Sequence, residues 1–301
     1  MTIMDLQSFI GEINGEPNDD QTVTVYRGHP NQSYTLKPTI FRSAAHTANE
    51  HLLLRDLVAM HPDQFASDTS ALEMLVRMQH YSLPTRLLDA TWNPLVSLYF
   101  AVQPKKVRVL RTGTKIRVSR EADGEVVRFI VDKKLVRYFD SDTVSCIANL
   151  ARGDEKLKED IRDLLADKRC SDAEAGIAWF NGERPIKRLL HFISGEKPAF
   201  APDIVPSHLS RVFLVKPKLS NRRILAQEGC FFAFGLTDNI PPKGMPGIQI
   251  QRIKVPAGDK ATVLAQLKRI AINERTMFPE IERAAKYLTD DVTATAILSR
   301  T

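Results

Sequence analysis

Gln79-His80-Tyr81-Ser82-Leu83-Pro84-Thr85-Arg86-Leu87-Leu88-Asp89-Ala90-Thr91-Trp92-Asn93-Pro94-Leu95 packs a helix end, a turn, a short strand and a new helix start into one continuous stretch. Upstream, Ser70 and Glu73 stand at capping-box spacing and start a helix whose Leu72, Leu75, Val76 and Gln79 share one side. After Pro84, Thr85 to Asp89 reads as a strand with polar side chains on both faces. Asn93 then caps a helix with Pro94 in its first position, where a missing N–H costs nothing, and with Leu95, Leu98, Tyr99 and Val102 turned inward. The helix start offers unpaired N–H donors and a positive dipole end to an anion. The plainer alternative is local: Asp89, Thr91 and Asn93 compete for the cap, and Arg86 pairs with Asp89.

Working towards the N-terminus, Thr22 to Tyr26 alternates β-branched residues and predicts a strand that delivers Arg27 at its end, before the turn formers Gly28 and Pro30. A strand-end Arg can present a fixed guanidinium fork to a phosphate or ribose, although such residues more often form surface ion pairs. Asn49 is placed to cap a helix with Leu52, Leu53, Leu57 and Met60 inward. The first twenty residues form an apolar stretch, Leu6 to Ile10, and an acidic link.

Towards the C-terminus, residues 105–140 are strand-like, broken at Asp123-Gly124, and 141–168 are helical. Residues 182–206, with four prolines, read as loop-rich. Arg211 to Val215, Arg222 to Phe234 and Ile248 to Val255 read as strands, and two closing helices span about 260–270 and 280–288. Within Arg222 to Phe234, two Args, Gln227 and Glu228 are costly to bury without partners. On a strand Gln227 and Glu228 face opposite ways, so only one enters a given pocket unless a bulge at Gly229 intervenes.

A chain of 301 residues suits one large domain or two small ones, and strands from both ends flanking the helices favour a single α+β domain. With no apolar run of membrane-spanning length, no secretory leader and three widely spaced cysteines, the expectation is a cytoplasmic protein without disulfides or membrane partner. The net charge of +6 is mild, but 105–137 holds eleven Lys/Arg against four Asp/Glu. That stretch reads either as a solvated sheet edge or as a phosphate-tracking surface. The histidines lack metal-ligand spacing, and no HExxH, CxxC, GxSxG, Walker loop or strand-following GxGxxG occurs.

Tyr26-Arg27-Gly28, the block Gln79 to Ala101, Arg223 to Phe231 and Met277-Phe278-Pro279-Glu280-Ile281 resemble, in order, the pattern of the FRG-domain family. Ser141 to Cys146 and Glu196-Lys197-Pro198 are similar too, whereas His29 stands where Gln is usual and Ala90 where Trp is usual. The resemblance implies an N-terminal segment at 1–20 and one domain over 21–301, with an ADP-ribosyltransferase-like split β-sheet core and flanking helices. In that layout Asp89-Ala90-Thr91 leads into the helix ending Phe100-Ala101, Arg27 holds the first-strand position, and Gln227 or Glu228 the last. NAD is then the expected co-substrate. Arg27, Gln227 and Glu228 would be catalytic, with Tyr26, Arg27, Gly28, Thr85, Arg86, Asp89, Thr91 and Asn93 around the NAD. The implied activity is a toxin-like or phage-defence ADP-ribosyltransferase acting on nucleic acid or protein, with a neutralising antitoxin as a partner. The alternatives are a non-catalytic nucleic-acid-binding module or an NAD glycohydrolase.

Overall fold

A computed structural model describes residues 2–15, 19–110 and 117–280. Its strands are β1 (Thr22–His29), β2 (Leu87–Thr91), β3 (Lys106–Leu110), β4 (Arg117–Glu121), β5 (Gly124–Asp132), β6 (Val136–Tyr138), β7 (Val212–Lys216), β8 (Gly229–Phe234) and β9 (Ile248–Val255). Seven of them build one sheet in the order β6-β7-β8-β2-β1-β5-β9, while β3 and β4 pair only with each other. Neighbours are antiparallel except β6 and β7. The architecture is mixed α+β.

The sheet is strongly curled. Phe129 on β5 and Phe232 on β8 stack with ring centroids 4.7 Å apart, although β1 and β2 lie between their strands. In a flat sheet strands that far apart would be separated by roughly 14 Å. The concave side therefore closes on itself as one apolar cluster containing Val25, Leu88, Val127, Phe129, Leu214 and Phe232. On the convex side, the helices Ala71–His80 and Asp142–Asn149 cover the β7-β8-β2 half. The helices Pro94–Ala101 and Lys260–Arg269 cover the β1-β5-β9 half. The helix Leu6–Asn14 joins that second group through fully buried Phe9, so the N-terminal segment belongs to the core.

Between the halves the ladder nearly fails. β1 and β5 pair in register over eight residues, from Thr22↔Asp132 to His29↔Glu125. β1 and β2 share only Tyr26↔Thr91. That seam positions the site described below.

Several local expectations are corrected. Arg222–Ala226 is a short helix, and the strand starts only at Gly229. The Asn221 side chain accepts the Arg223 N–H as an N-cap, and Arg-Arg-Ile-Leu-Ala suits a helix better than a strand. In the helix Glu50–Met60, Leu52 and Met60 are exposed, and Glu50 and Leu54 face inward. The apolar pattern misleads there because Glu50 has two buried cationic partners, Arg86 and Lys158. Residues 182–206 are not mainly loop: Pro185 lies in the first turn of the strongly amphipathic helix Arg184–Ser194. The strand near Pro84 runs Leu87–Thr91 rather than from Thr85. The expected last helix lies almost wholly outside the described residues. Among the described residues, no helix is long and apolar enough to cross a membrane.

Candidate functional site

A cleft opens on the seam between β1 and β2. Cross-strand partners share a face, so the register Tyr26↔Thr91 turns Tyr26 and Gly28 to the same side as Asp89 and Thr91. These residues line the cleft with Arg27, Val96 and Phe100. Arg223 and Gln227 close it and also line a second lobe, shared with Asp89 and Ala90, that runs on to Gln79 and His80. The lobes enclose about 520 and 410 Å³ of empty space open to solvent. Both are open clefts rather than enclosed cavities, with room for more than one water molecule.

Arg27 occupies the missing rungs of the ladder. Its Nη1 donates to the Asp89 carbonyl at 2.5 Å and lies 3.5 Å from Asp89 Oδ2. Behind it, Nε donates to His29 Nε2 at 3.0 Å, His29 Nδ1 meets Glu125 Oε1 at 3.0 Å, and Arg252 Nη1 donates to the same oxygen at 2.6 Å. Asp89 is held from its other side by Gln79 Nε2 at 2.6 Å, and the Thr85 hydroxyl donates to Gln79 Oε1. A continuous chain of hydrogen bonds thus fixes one guanidinium and one carboxylate at the seam. Asp89 remains more than half exposed, with its side chain 58% accessible.

The protonation of His29 follows from its neighbours. An Arg only donates and an ionised Glu only accepts, so the imidazole accepts at Nε2 and carries its proton on Nδ1. Burial, the largest influence, pushes its pKa below the ordinary 6.5; the bond to Glu125 opposes this and Arg27 reinforces it. The unfolded chain therefore takes up a proton near pH 6.5 that the folded chain does not. Stability from this group is present above that pH and is lost as the pH falls below it. His51, His80 and His208 are shifted the same way, burial being the largest influence on each. The urea midpoint is thus expected to drop between about pH 7 and about pH 5. It should drop less steeply in His29→Gln, whose amide can still accept from Arg27 and donate to Glu125. Equal slopes in the two proteins would show that His29 titrates normally.

The late segment settles which side chain enters the cleft. Gln227 does. As the residue closing the helix Arg222–Ala226, it lies four positions after Arg223, so the two share a side. Gln227 Nε2 donates to the Met277 carbonyl at 2.9 Å, and its Oε1 has no partner among the described residues. Arg223 lies over the Phe278 ring at 4.9 Å and forms no ion pair with a described residue. Glu228 takes a left-handed backbone (φ 45°), and its carboxylate turns away to Asn93 Nδ2 at 3.0 Å. The expectation that Glu228 could furnish the carboxylate of the site is corrected; the carboxylate in the cleft is Asp89. Arg223 is the residue the strand reading passed over. Asn221 as a helix cap, followed by Arg and Gln at helical spacing, was the available signal.

Other expected site residues serve the scaffold. Arg86 is 1% exposed; it grips Glu50 with Nε and Nη2 and donates through Nη1 to the Phe234 and Gly235 carbonyls, so it neither pairs with Asp89 nor reaches the cleft. Thr85 is fully buried, and its hydroxyl donates to Gln79 and accepts the Leu87 N–H. Asn93 caps its helix by accepting the Leu95 N–H, and its amide is occupied by Glu228. Thr91 lines the cleft, but its hydroxyl is committed to the Gln227 carbonyl at 2.6 Å, which ties β2 to the late segment. Cys230 lines the second lobe, but burial first and Asp89 next push its thiol far up, so it is no nucleophile at neutral pH.

Gly28 borders the cleft, yet its missing side chain serves packing. A Cβ there would lie 1.8 Å from the Ser97 carbonyl oxygen and 2.7 Å from the Ala101 nitrogen, both backbone atoms of the helix Pro94–Ala101. Gly28→Ala must therefore push that helix off the sheet. We expect a loss of about 3 kcal/mol, at the upper end for overpacking, read as a lower urea midpoint; an unchanged midpoint would show that the helix docks loosely.

No curated protein and no solved structure matches the chain. Residues 22–108 match the model of the FRG domain. The matched segment contains Arg27, Gln79, Asp89 and the helix Pro94–Ala101, whereas Arg223 and Gln227 lie beyond it, and on that match residues 22–108 carry an FRG domain.

Proposed function

We propose that the cleft binds NAD and transfers its ADP-ribose to an acceptor. The observation that carries this reading is the seam itself, where an Arg from the first strand, a carboxylate from the second and a Gln from the late segment meet beside two open lobes. The layout is similar to the split sheet of ADP-ribosyltransferases, with Arg27 on the first strand and Asp89-Ala90-Thr91 leading into the helix that ends Phe100-Ala101.

The residue types fit the co-substrate. Arg27 and Arg223 flank the cleft and suit a diphosphate, which planar forked guanidiniums hold well. Gln227 Oε1 can accept from a ribose hydroxyl. Asp89 sets a negative charge beside the position where positive charge grows on the ribose. In the transfer the bond from ribose C1′ to the nicotinamide nitrogen breaks and nicotinamide leaves with the electron pair. The acceptor bonds to C1′ and gives its proton to Asp89 or to water. A Gln in the late position orients the ribose without adding charge, so Asp89 supplies the only carboxylate among the described cleft-lining residues and turnover should be slow.

Incubating the protein with NAD labelled in its adenylate, together with mixed RNA, DNA and protein, tests this. Label on a macromolecule supports the transferase, and free ADP-ribose alone makes water the acceptor. Intact NAD, with no binding by calorimetry, would reject the reading.

A further inference from the structure

From Lys105 to Arg120 the chain carries seven Lys/Arg and no Asp or Glu. The two ends of this stretch form the β3–β4 ribbon, in register from Lys106↔Glu121 to Leu110↔Arg117. Side chains alternate along a strand and cross-strand partners share a face, so Lys106, Arg108 and Arg117 lie on one face and Arg120 on the other. All four are exposed, as is Lys105 at the root, and none forms an ion pair with a described residue. The ribbon joins no strand of the main sheet, and its valines enter none of the apolar clusters.

Such a ribbon is unfavourable on its own. A two-stranded hairpin is marginal in water, and four cations on its strands against the single carboxylate of Glu121 add repulsion to it. Yet its root is built firmly. Lys260, with a side chain 4% exposed, donates through Nζ to the Pro30 carbonyl at 2.7 Å, the Gln103 carbonyl at 3.3 Å and Glu121 Oε1 at 3.1 Å. Ala122 N–H bonds the Lys105 carbonyl at 2.8 Å, and Lys105 N–H bonds Glu121 at 2.6 Å. The root thus grows from the two elements that line the cleft: the helix Pro94–Ala101, which leads through Gln103, and β1, which leads into Pro30.

We propose that the β3–β4 ribbon is an arm that holds duplex DNA by its phosphates. Cations that form no ion pair with a described residue, on both faces of a thin arm, suit a polyanion that surrounds it. The major groove of B-form DNA admits a two-stranded ribbon, whereas that of A-form RNA is too narrow for side chains to enter. From Lys105 to Glu121 there is no aromatic residue to stack exposed bases, which argues against single strands. There is also no Asn or Gln in that stretch for a paired contact to adenine, so the proposed grip is on the phosphates. The assignment does not depend on what the cleft does, and binding is measured without NAD.

Fluorescence anisotropy of the full chain with a short labelled duplex DNA is the test. Five phosphate contacts predict a slope of log K against log salt near −4.5. The triple variant Lys106→Glu, Arg108→Glu, Arg117→Glu should lower affinity on the order of a hundredfold and flatten that slope to about −1.8. Its thermal midpoint should match the parent's, because the three side chains are exposed, form no ion pair with a described residue, and belong to a ribbon whose valines join no apolar cluster. A control with the same change in net charge elsewhere, Lys168→Glu, Lys187→Glu, Lys243→Glu, should still bind. Equal loss in both variants, no binding by the parent, or preference for duplex RNA, single strands or anionic vesicles would each overturn the assignment.

Discussion

Glu50→Ala is expected to destabilise the protein by about 3–5 kcal/mol, the range for breaking a buried ion pair from one side. Glu50 is 2% exposed, and its carboxylate receives Arg86 Nε at 2.9 Å, Arg86 Nη2 at 2.5 Å and Lys158 Nζ at 2.7 Å. Burial alone would raise its pKa, but Arg86 first and Lys158 next hold it below the usual carboxylate value. Removing the carboxylate strands two buried cations, neither able to reach water without opening the fold. Arg86 cannot move freely, since it also holds the carbonyls that end β8. Against a typical stability of 5–15 kcal/mol, the loss should appear as a much lower urea midpoint. Glu50→Gln keeps two lone pairs but no charge, and should fall between the alanine variant and the parent. A parental midpoint for Glu50→Ala would mean that the cations are solvated.

Arg27→Ala should leave the fold largely intact and lower kcat/KM for NAD consumption on the order of a hundredfold or more, as losing a preorganised donor does. The side chain lies on the cleft wall with 19% exposure, so its removal leaves a gap open to water rather than a buried void. His29 loses its donor and Asp89 its cation, a cost of about 1 kcal/mol. Arg27→Lys should not restore activity. A single ammonium cannot reach both His29 Nε2 and the Asp89 carbonyl while also presenting a flat fork to a phosphate. Undiminished turnover in Arg27→Ala would remove Arg27 from the site, whatever the seam does.

Elements whose signal is local were legible in the sequence. Asn93-Pro94 announces its helix, and the Asn93 side chain caps it as expected. The alternation of Thr22 to Tyr26 places Arg27 on β1. Interactions closed over distance were not legible. Glu50 finds Arg86 after 36 residues and Lys158 after 108, a pairing that no local pattern announces, and Arg86 therefore reads from sequence as a ligand for the site. On a strand Gln227 and Glu228 would take opposite faces, but Asn221 starts a helix there and strand alternation does not apply. Once that turn is helical, Arg223 comes into line with Gln227, and the left-handed Glu228 swings its carboxylate to Asn93.

The single registered pair between β1 and β2 has a consequence for how the molecule responds to what it binds. Arg27 belongs to one half of the sheet, while Asp89, Gln227 and Arg223 belong to the other or to the turn that leads into it. Whatever the cleft holds is gripped from both banks and acts as the cross-tie that the backbone omits there. Occupancy and mechanical unity of the sheet then become one quantity: the bound chain should melt as a single block, and weakening the tie on either bank should loosen both.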